Sequence, residues 1–165
     1  MKLKALSIIQ PWAGFILCGE KRVENRTWKT YHRGPLLIHS SRSSVGLDRG
    51  VDDNWFQLAG LIRHDAKSRL EFGCGSILGI VNLVDCRLAT GMPPTPWHDP
   101  SRLFGNSYWW ELADVVIFQT PIPAKGQQML WTADVDVSIA LIGECPTLES
   151  YLARFRSDRQ RAMTF

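Results

Sequence analysis

Apolar residues in this chain fall in short runs, and the spacing inside and between the runs predicts strands more often than helices. Lys4 to Ile9 reads as a first strand. Trp12, Phe15 and Ile16 then recur at helical spacing, behind a proline at 11 and ahead of a glycine at 19. Proline suits the first turn of a helix and glycine its C-terminal cap. Val23 to Trp28 predicts a second strand and Leu36 to His39 a third, joined through a turn at Thr30 to Arg33 that Gly34-Pro35 closes. Residues 52–69 carry one apolar stripe, Trp55, Leu58, Ala59, Ile62 and Ala66, which predicts a core-facing helix. Ile77 to Leu88 is the best strand, apolar enough for burial on both faces, with Gly79 permitting a bulge or a close approach. Tyr108 to Phe118 includes strand material and residues 135–142 read as a further strand. Thr147 caps a last helix that runs to about Arg161.

One polar stretch breaks this pattern. Between the runs ending at Leu17 and starting at Pro35, the chain carries Lys21, Arg22, Arg26, Lys29 and Arg33 against only Glu20 and Glu24. As a strand, residues 23–28 put Glu24, Arg26 and Trp28 on one face and Val23, Asn25 and Thr27 on the other. Neither face is cleanly apolar. Two readings fit: a solvated hairpin with a local Glu24–Arg26 pair, or the wall of a site.

The full chain has 165 residues, which points to one domain with a real core. Its net charge of +3 is uneven: the first fifty residues hold nine Lys/Arg against three Asp/Glu, the rest ten against thirteen. The basic excess coincides with the polar stretch, as expected for contact with phosphates. No apolar run reaches the ~20 residues of a membrane span. The opening segment is basic, then apolar, but Gln10-Pro11 interrupts it, so it is read as part of the fold and not as a signal peptide. Cys18, Cys74, Cys86 and Cys145 show neither a CxxC motif nor metal-ligand spacing. Free thiols and a cytoplasmic setting are the expectation, with no metal and no cofactor.

Thr90 to Asn106 is the longest irregular segment, with four prolines beside Trp97, His98 and Arg102; a loop of that length is expected to be functional or a variable insertion. Trp109 and Trp110 should face opposite ways on a strand, so one ring can pack inside while the other offers a stacking surface for a base. No phosphate loop, HExxH, GxSxG or zinc pattern occurs. What remains is a Lys–Glu–Arg cluster among aromatics. It can hold phosphate or a base, with Glu24 accepting from an amino group. It can equally move a proton between Lys21 and Glu24 while a cation stabilises negative charge.

The pattern Gly19-x-Lys21-x-x-Glu24-x-Arg26 resembles the signature of the ASCH (activating signal cointegrator homology) domain, of the cointegrator-type subgroup. The flanks Gln10-Pro11-Trp12-Ala13, Arg26-x-Trp28, His32-Arg33-Gly34 and Leu37-Ile38-His39 match as well, and the likeness runs over roughly residues 3 to 131. The resemblance implies an α+β fold, a PUA-like β-barrel with flanking α-helices. The barrel would span about 3–142 and a C-terminal helix about 147–161 of a single domain, 1–165. A Pro/Lys-Gly segment, here Pro121 to Gln127, would precede the final barrel strand at Leu130-Trp131. The implied function is binding of single-stranded RNA or a nucleotide-like ligand, with DNA possible and no membrane partner. The candidate binding residues are Trp12, Lys21, Glu24, Arg26, Trp28, Arg33, His39, Ser40, Trp109 and Lys125. The alternative is a ribonuclease or an N4-acetylcytidine amidohydrolase, with Lys21 and Glu24 as catalytic pair. Against it, the amidohydrolase branch has a threonine three residues after the motif lysine, where this chain has Glu24; Thr27 and Ser40 are the candidate substitutes, and nothing in the sequence places either hydroxyl there.

Overall fold

The structure is a computed structural model, and it describes residues 2–43, 74–99 and 106–136. Six strands and one helix follow in the order β1 (Lys2–Ile8), α1 (Trp12–Leu17), β2 (Val23–Arg26), β3 (Gly34–Ser40), β4 (Ser76–Leu88), β5 (Tyr108–Pro123) and β6 (Leu130–Asp134). The strands form one sheet in the order β2-β5-β4-β3-β1-β6. All neighbours pair antiparallel except β1 and β3, which run parallel with Ser7 opposite His39. A parallel neighbour needs a crossover, and α1 lies in it.

The centre of the sheet is buried on both faces, where Ser76 to Val81 are all buried, but the burial read for the whole of Ile77 to Leu88 stops short: Val84, Asp85, Arg87 and Leu88 are exposed, where β4 runs out toward the polar end of the sheet. One face gathers Leu3, Ala5, Leu37, Ile80, Phe118 and Trp131. The other wraps α1, packing Ile16 and Leu17 against Leu6, Ile38, Leu78 and Trp110. Gly79 is where β4 and β5 slip register, and a Cβ there would stand 2.6 Å from the Val116 carbonyl oxygen. The expected close approach is therefore present, and only glycine fits it.

The sheet does not close as expected from the resemblance. Among the described residues β2 and β6 are edges that do not pair. The reason is their length: β2 has four residues and β6 five. After Arg26 the chain leaves the ladder for a turn that Arg33 holds, its guanidinium donating to the Thr30 and His32 carbonyls. The sheet nevertheless curls strongly. Arg26 on edge strand β2 donates through Nη2 to the Ser7 carbonyl on β1, at 3.0 Å, although three strands separate β2 from β1 in the sheet.

The helix read around Trp12 to Ile16 is present as α1, the single helix among the described residues. The helices read at 52–69 and 147–161 lie outside the described residues, as does most of the strand read at 135–142, whose first two residues are not strand. The proline at 11 precedes α1 instead of opening it: Pro11 is the N-cap, and the Gln10 side chain accepts the Gly14 N–H at 3.1 Å. Cys18, Cys74 and Cys86 are free thiols. Among the described residues no helix is long and apolar enough to cross a membrane.

Candidate functional site

The signature begins where α1 ends. Gly19, at φ +84°, takes the left-handed turn that a C-terminal cap requires, and its N–H donates to Ile16 O at 3.0 Å. The chain doubles back so that the Lys21 N–H donates to Phe15 O at 3.1 Å. This fixes the lysine backbone against the helix and turns its side chain inward. Lys21 is 4% exposed and Glu24 7%, and Lys21 Nζ donates to Glu24 Oε2 at 2.7 Å and to the Val23 carbonyl. Arg26 Nε lies 3.1 Å from the other oxygen, Oε1, with its N–H aimed off that oxygen. One buried carboxylate thus sits between two cations, an arrangement with no resemblance to a solvated hairpin.

Above this pair opens a cavity of about 540 Å³, lined by Trp12, Lys21, Glu24, Asn25 and the segment Pro96 to Asp99. The segment is held by the signature strand itself. Asn25 Nδ2 donates to the Trp97 carbonyl at 2.9 Å, and the Asp99 N–H donates to Asn25 Oδ1 at 3.0 Å. The Trp109 indole N–H adds a bond to the Asp99 carbonyl at 3.0 Å. His98 is buried between Thr95 Oγ1, at 2.6 Å from its Nδ1, and Glu111 Oε1, at 3.2 Å from its Nε2. The ring of Trp97 stands 5.5 Å from Phe15 of α1. The long irregular segment therefore supplies a wall of the cavity, and Asn25 is its fastener. Sequence reasoning placed Asn25 on a strand face and no more; the signal available was an aromatic and a histidine inside a proline-rich loop.

The candidate residues divide into groups. Lys21, Glu24 and Trp12 share the first cavity, and Arg26 braces its carboxylate. Trp28 is half-buried edge-on to Trp110, ring centroids 4.5 Å apart, outside the cavity lining. Trp109 is a correction: it is 1% exposed, with Arg87 over its ring and His98 at its edge, so no face is open to a base. Alternation does send Trp109 and Trp110 opposite ways, yet both sheet faces are covered there and both rings are core. Arg33 is a second correction. Its guanidinium is engaged by the turn carbonyls and by Asp85 Oδ1 at 2.8 Å, away from the cavity. The Cys86 backbone and Arg33 hold the Asp85 carboxyl below its ordinary range. Thr27 is exposed and Ser40 fully buried; neither lines the cavity, so neither supplies the hydroxyl sought for hydrolysis.

His39 and Lys125 belong to a separate cavity of about 350 Å³, with Ser7, Arg42 and Gly126. His39 Nε2 donates to the Ala124 carbonyl at 3.1 Å, and its ring meets Trp131 edge-on. Burial, and secondarily the charge of Arg42, lower its pKa below the ordinary histidine value. Of the five cations in the signature stretch, Lys21, Arg26 and Arg33 are in ion pairs. The basic surface is correspondingly weaker than the charge count implied.

Comparison with known proteins bears on this site. The family model described as the ASCH domain matches residues 6–121. Activating signal cointegrator 1 of Mus musculus is 30% identical over 131 residues, 78% of this chain and 22% of its own length. The Homo sapiens protein of the same name is 29% identical over 129 residues, with the same coverage. The chain thus spans about a fifth of the curated relatives it matches. Two crystal structures of the ASCH protein of Zymomonas mobilis superpose with a TM-score of 0.46 at 12% identity, covering 93% of this chain and 96% and 93% of theirs.

Proposed function

The chain belongs to the ASCH domain family, and from that premise we propose that the cavity above Lys21 and Glu24 binds a base of single-stranded RNA or of a nucleotide-like ligand. The observation that carries this is the buried Lys21–Glu24 pair at the floor of a cavity walled by Trp12 and Trp97. A base edge presents acceptors and donors side by side. Lys21 offers an N–H to a carbonyl, and Glu24 accepts from an amino group. Indole walls fit a planar ring and exclude water from those bonds. We further read the curled six-stranded sheet as part of a PUA-like barrel, with Arg26 reaching from its β2 edge across to β1.

The test is titration of tryptophan fluorescence with nucleosides and short oligoribonucleotides. Lys21→Ala should lower affinity by roughly 1.5–3 kcal/mol, the worth of a charge-assisted hydrogen bond. Trp12→Ala should lower it by about 1–3 kcal/mol. Absence of binding at low salt, or binding indifferent to both changes, refutes the proposal.

A hydrolase reading has one observation in its favour: a carboxylate and an ammonium in contact at the floor of a cavity can pass a proton. Among the described residues no hydroxyl or thiol side chain lines that cavity to act as nucleophile. Turnover of N4-acetylcytidine or of labelled RNA that disappears in both Lys21→Ala and Glu24→Gln would make this the better reading.

A further inference from the structure

The two cavities differ in the sign of their charges. The first is lined by two carboxylates, Glu24 and Asp99, and one ammonium, Lys21. The second, of about 350 Å³, has two cations, Arg42 and Lys125, and no carboxylate among its described lining residues. Both cations are exposed, and neither takes part in the ion pairs among the described residues. Like charges around one concavity raise its potential, and its walls focus the field. The rest of the lining adds donors. Gln127 and Gln128 bring side-chain amides. Ser41 Oγ already accepts the Ser43 N–H at 3.1 Å, which leaves its O–H to donate. His39, at the floor, is buried and engaged with the Ala124 carbonyl, so it is not a ligand group.

A pair of surface cations does not by itself make a site. Arg42 is distinguished by how it is held. Its stem lies against Gly75, where a Cβ would stand 3.0 Å from Arg42 Cγ and 3.1 Å from Arg42 Nε. Gly75, at φ +80°, suits only glycine, and its missing side chain leaves the arginine its place. The same residue is bonded on both sides. Its N–H donates to the Ser40 carbonyl at 2.8 Å, and its carbonyl accepts the Ala124 N–H at 3.1 Å. One backbone unit thereby anchors the end of β3 just before Arg42 and the residue just before Lys125. Cations placed before a ligand arrives lose less freedom when it does. His39 registers where the arginine charge is directed. Burial first, and the charge of Arg42 after it, hold the imidazole below its ordinary pKa, so the field of the guanidinium reaches the cavity floor.

We propose that the concavity lined by Arg42 and Lys125 is a phosphate-binding site, separate from the cavity over Lys21, that takes a phosphate of an RNA backbone or of a small phosphate monoester. Two cations with several N–H and O–H donors suit a tetrahedral oxyanion, which offers acceptors on every side. The proposal goes beyond the base-binding reading and does not depend on it.

The probe is sulfate, a dianion throughout the range in which histidine titrates, added at constant ionic strength against chloride. In a nuclear magnetic resonance titration the backbone amides of Ser41, Arg42 and Lys125 to Gln128 should shift saturably. His39 should titrate at higher pH with sulfate bound, because the anion offsets the Arg42 charge. Arg42→Ala and Lys125→Ala, changes at exposed positions, should each weaken sulfate binding about tenfold or more, the effect of losing a charge-assisted hydrogen bond. Both variants should bind an uncharged nucleoside as the wild type does, which keeps this site distinct from the one over Lys21. Two competitors identify the source of the phosphate. An oligoribonucleotide without terminal phosphates that displaces sulfate, and whose salt dependence falls by about one phosphate in either variant, assigns the site to the polymer backbone. Methyl phosphate that displaces sulfate where the oligoribonucleotide does not assigns it to a small monoester. Shifts that never saturate, that chloride reproduces, or that persist at full strength in both variants overturn the proposal. Sulfate displaced by neither competitor overturns it as well. If the wild type binds sulfate but no nucleoside, the base-binding reading falls and the phosphate site stands.

Discussion

Replacing Glu24 by Gln isolates the electrostatic centre of the site. Lys21 Nζ lies 2.7 Å from Glu24 Oε2, and both side chains are more than nine-tenths buried. At an effective dielectric constant of about 20, charges at that distance attract by roughly 6 kcal/mol before desolvation is counted. The net quantity is smaller. Removing one partner of a buried pair typically costs about 3–5 kcal/mol, because the other charge stays behind unpaired. Two features place this change near the lower end: glutamine retains a carbonyl acceptor, and Lys21 keeps the Val23 carbonyl. The expected loss is therefore about 3 kcal/mol in denaturant unfolding, read as a shift in midpoint at constant slope. Lys21→Met should cost less, since Glu24 then still has Arg26 at 3.1 Å. The double variant should cost less than the sum of the two, because each single change exposes the same broken contact. A loss under about 1 kcal/mol for Glu24→Gln is the value of a solvated surface pair. It would mean that water reaches the pair, and the argument that a buried ion pair floors the cavity would fail.

Asn25→Ala removes both bonds that tie the 97–99 segment to β2; it should cost about 1–3 kcal/mol of stability and weaken nucleotide binding, measured by unfolding and titration. Gly79→Ala drives a Cβ against the Val116 carbonyl and should cost at least about 1–3 kcal/mol, or yield no folded protein on expression. His39 binds its proton less readily folded than unfolded, so the unfolded state holds more protons between the lowered pKa and the ordinary value near 6.5. Stability from this group is present above that window and is lost as pH falls through it; His39→Leu should flatten the loss in pH-dependent melting. The charged side chains that line the same cavity are Arg42 and Lys125.

Strand order along the chain was legible because burial writes itself into local pattern. The β4 run from Ser76 to Val81 is apolar on both faces and is buried on both. The glycine at 79 announced a close approach that the Val116 carbonyl provides. Helix α1 was framed by a proline and a glycine whose backbone preferences are local properties. What pattern did not carry was closure. Whether β2 meets β6 depends on a ladder between residues a hundred positions apart and on how soon each strand leaves it. Nothing in the sequence of either strand states its curvature.

The site divides in the same way, and charge shows why. Lys21, Arg26 and Arg33 look alike in sequence, three cations in one polar stretch. In the fold Lys21 is buried on Glu24, Arg26 spans to the Ser7 carbonyl, and Arg33 locks a turn against Asp85. A charge count treats them as one basic surface because it is blind to partners, and partners are set by long-range packing. The aromatic residues fail for the mirror reason. Trp109 looked available because alternation governs which face a ring takes, but whether that face is covered is decided by residues 97–99, brought there by two bonds to Asn25. The same bonds bring Trp97 to the cavity, so the loop that removes one indole from the surface supplies another to the site. A substitution that frees the segment should therefore have two opposite signatures, loss of the Trp97 wall and exposure of Trp109. Asn25→Ala would raise quenching of total tryptophan fluorescence by a neutral quencher while lowering nucleotide affinity. Unchanged quenching alongside unchanged affinity would show that the segment is held by its other contacts and that Asn25 is not the fastener.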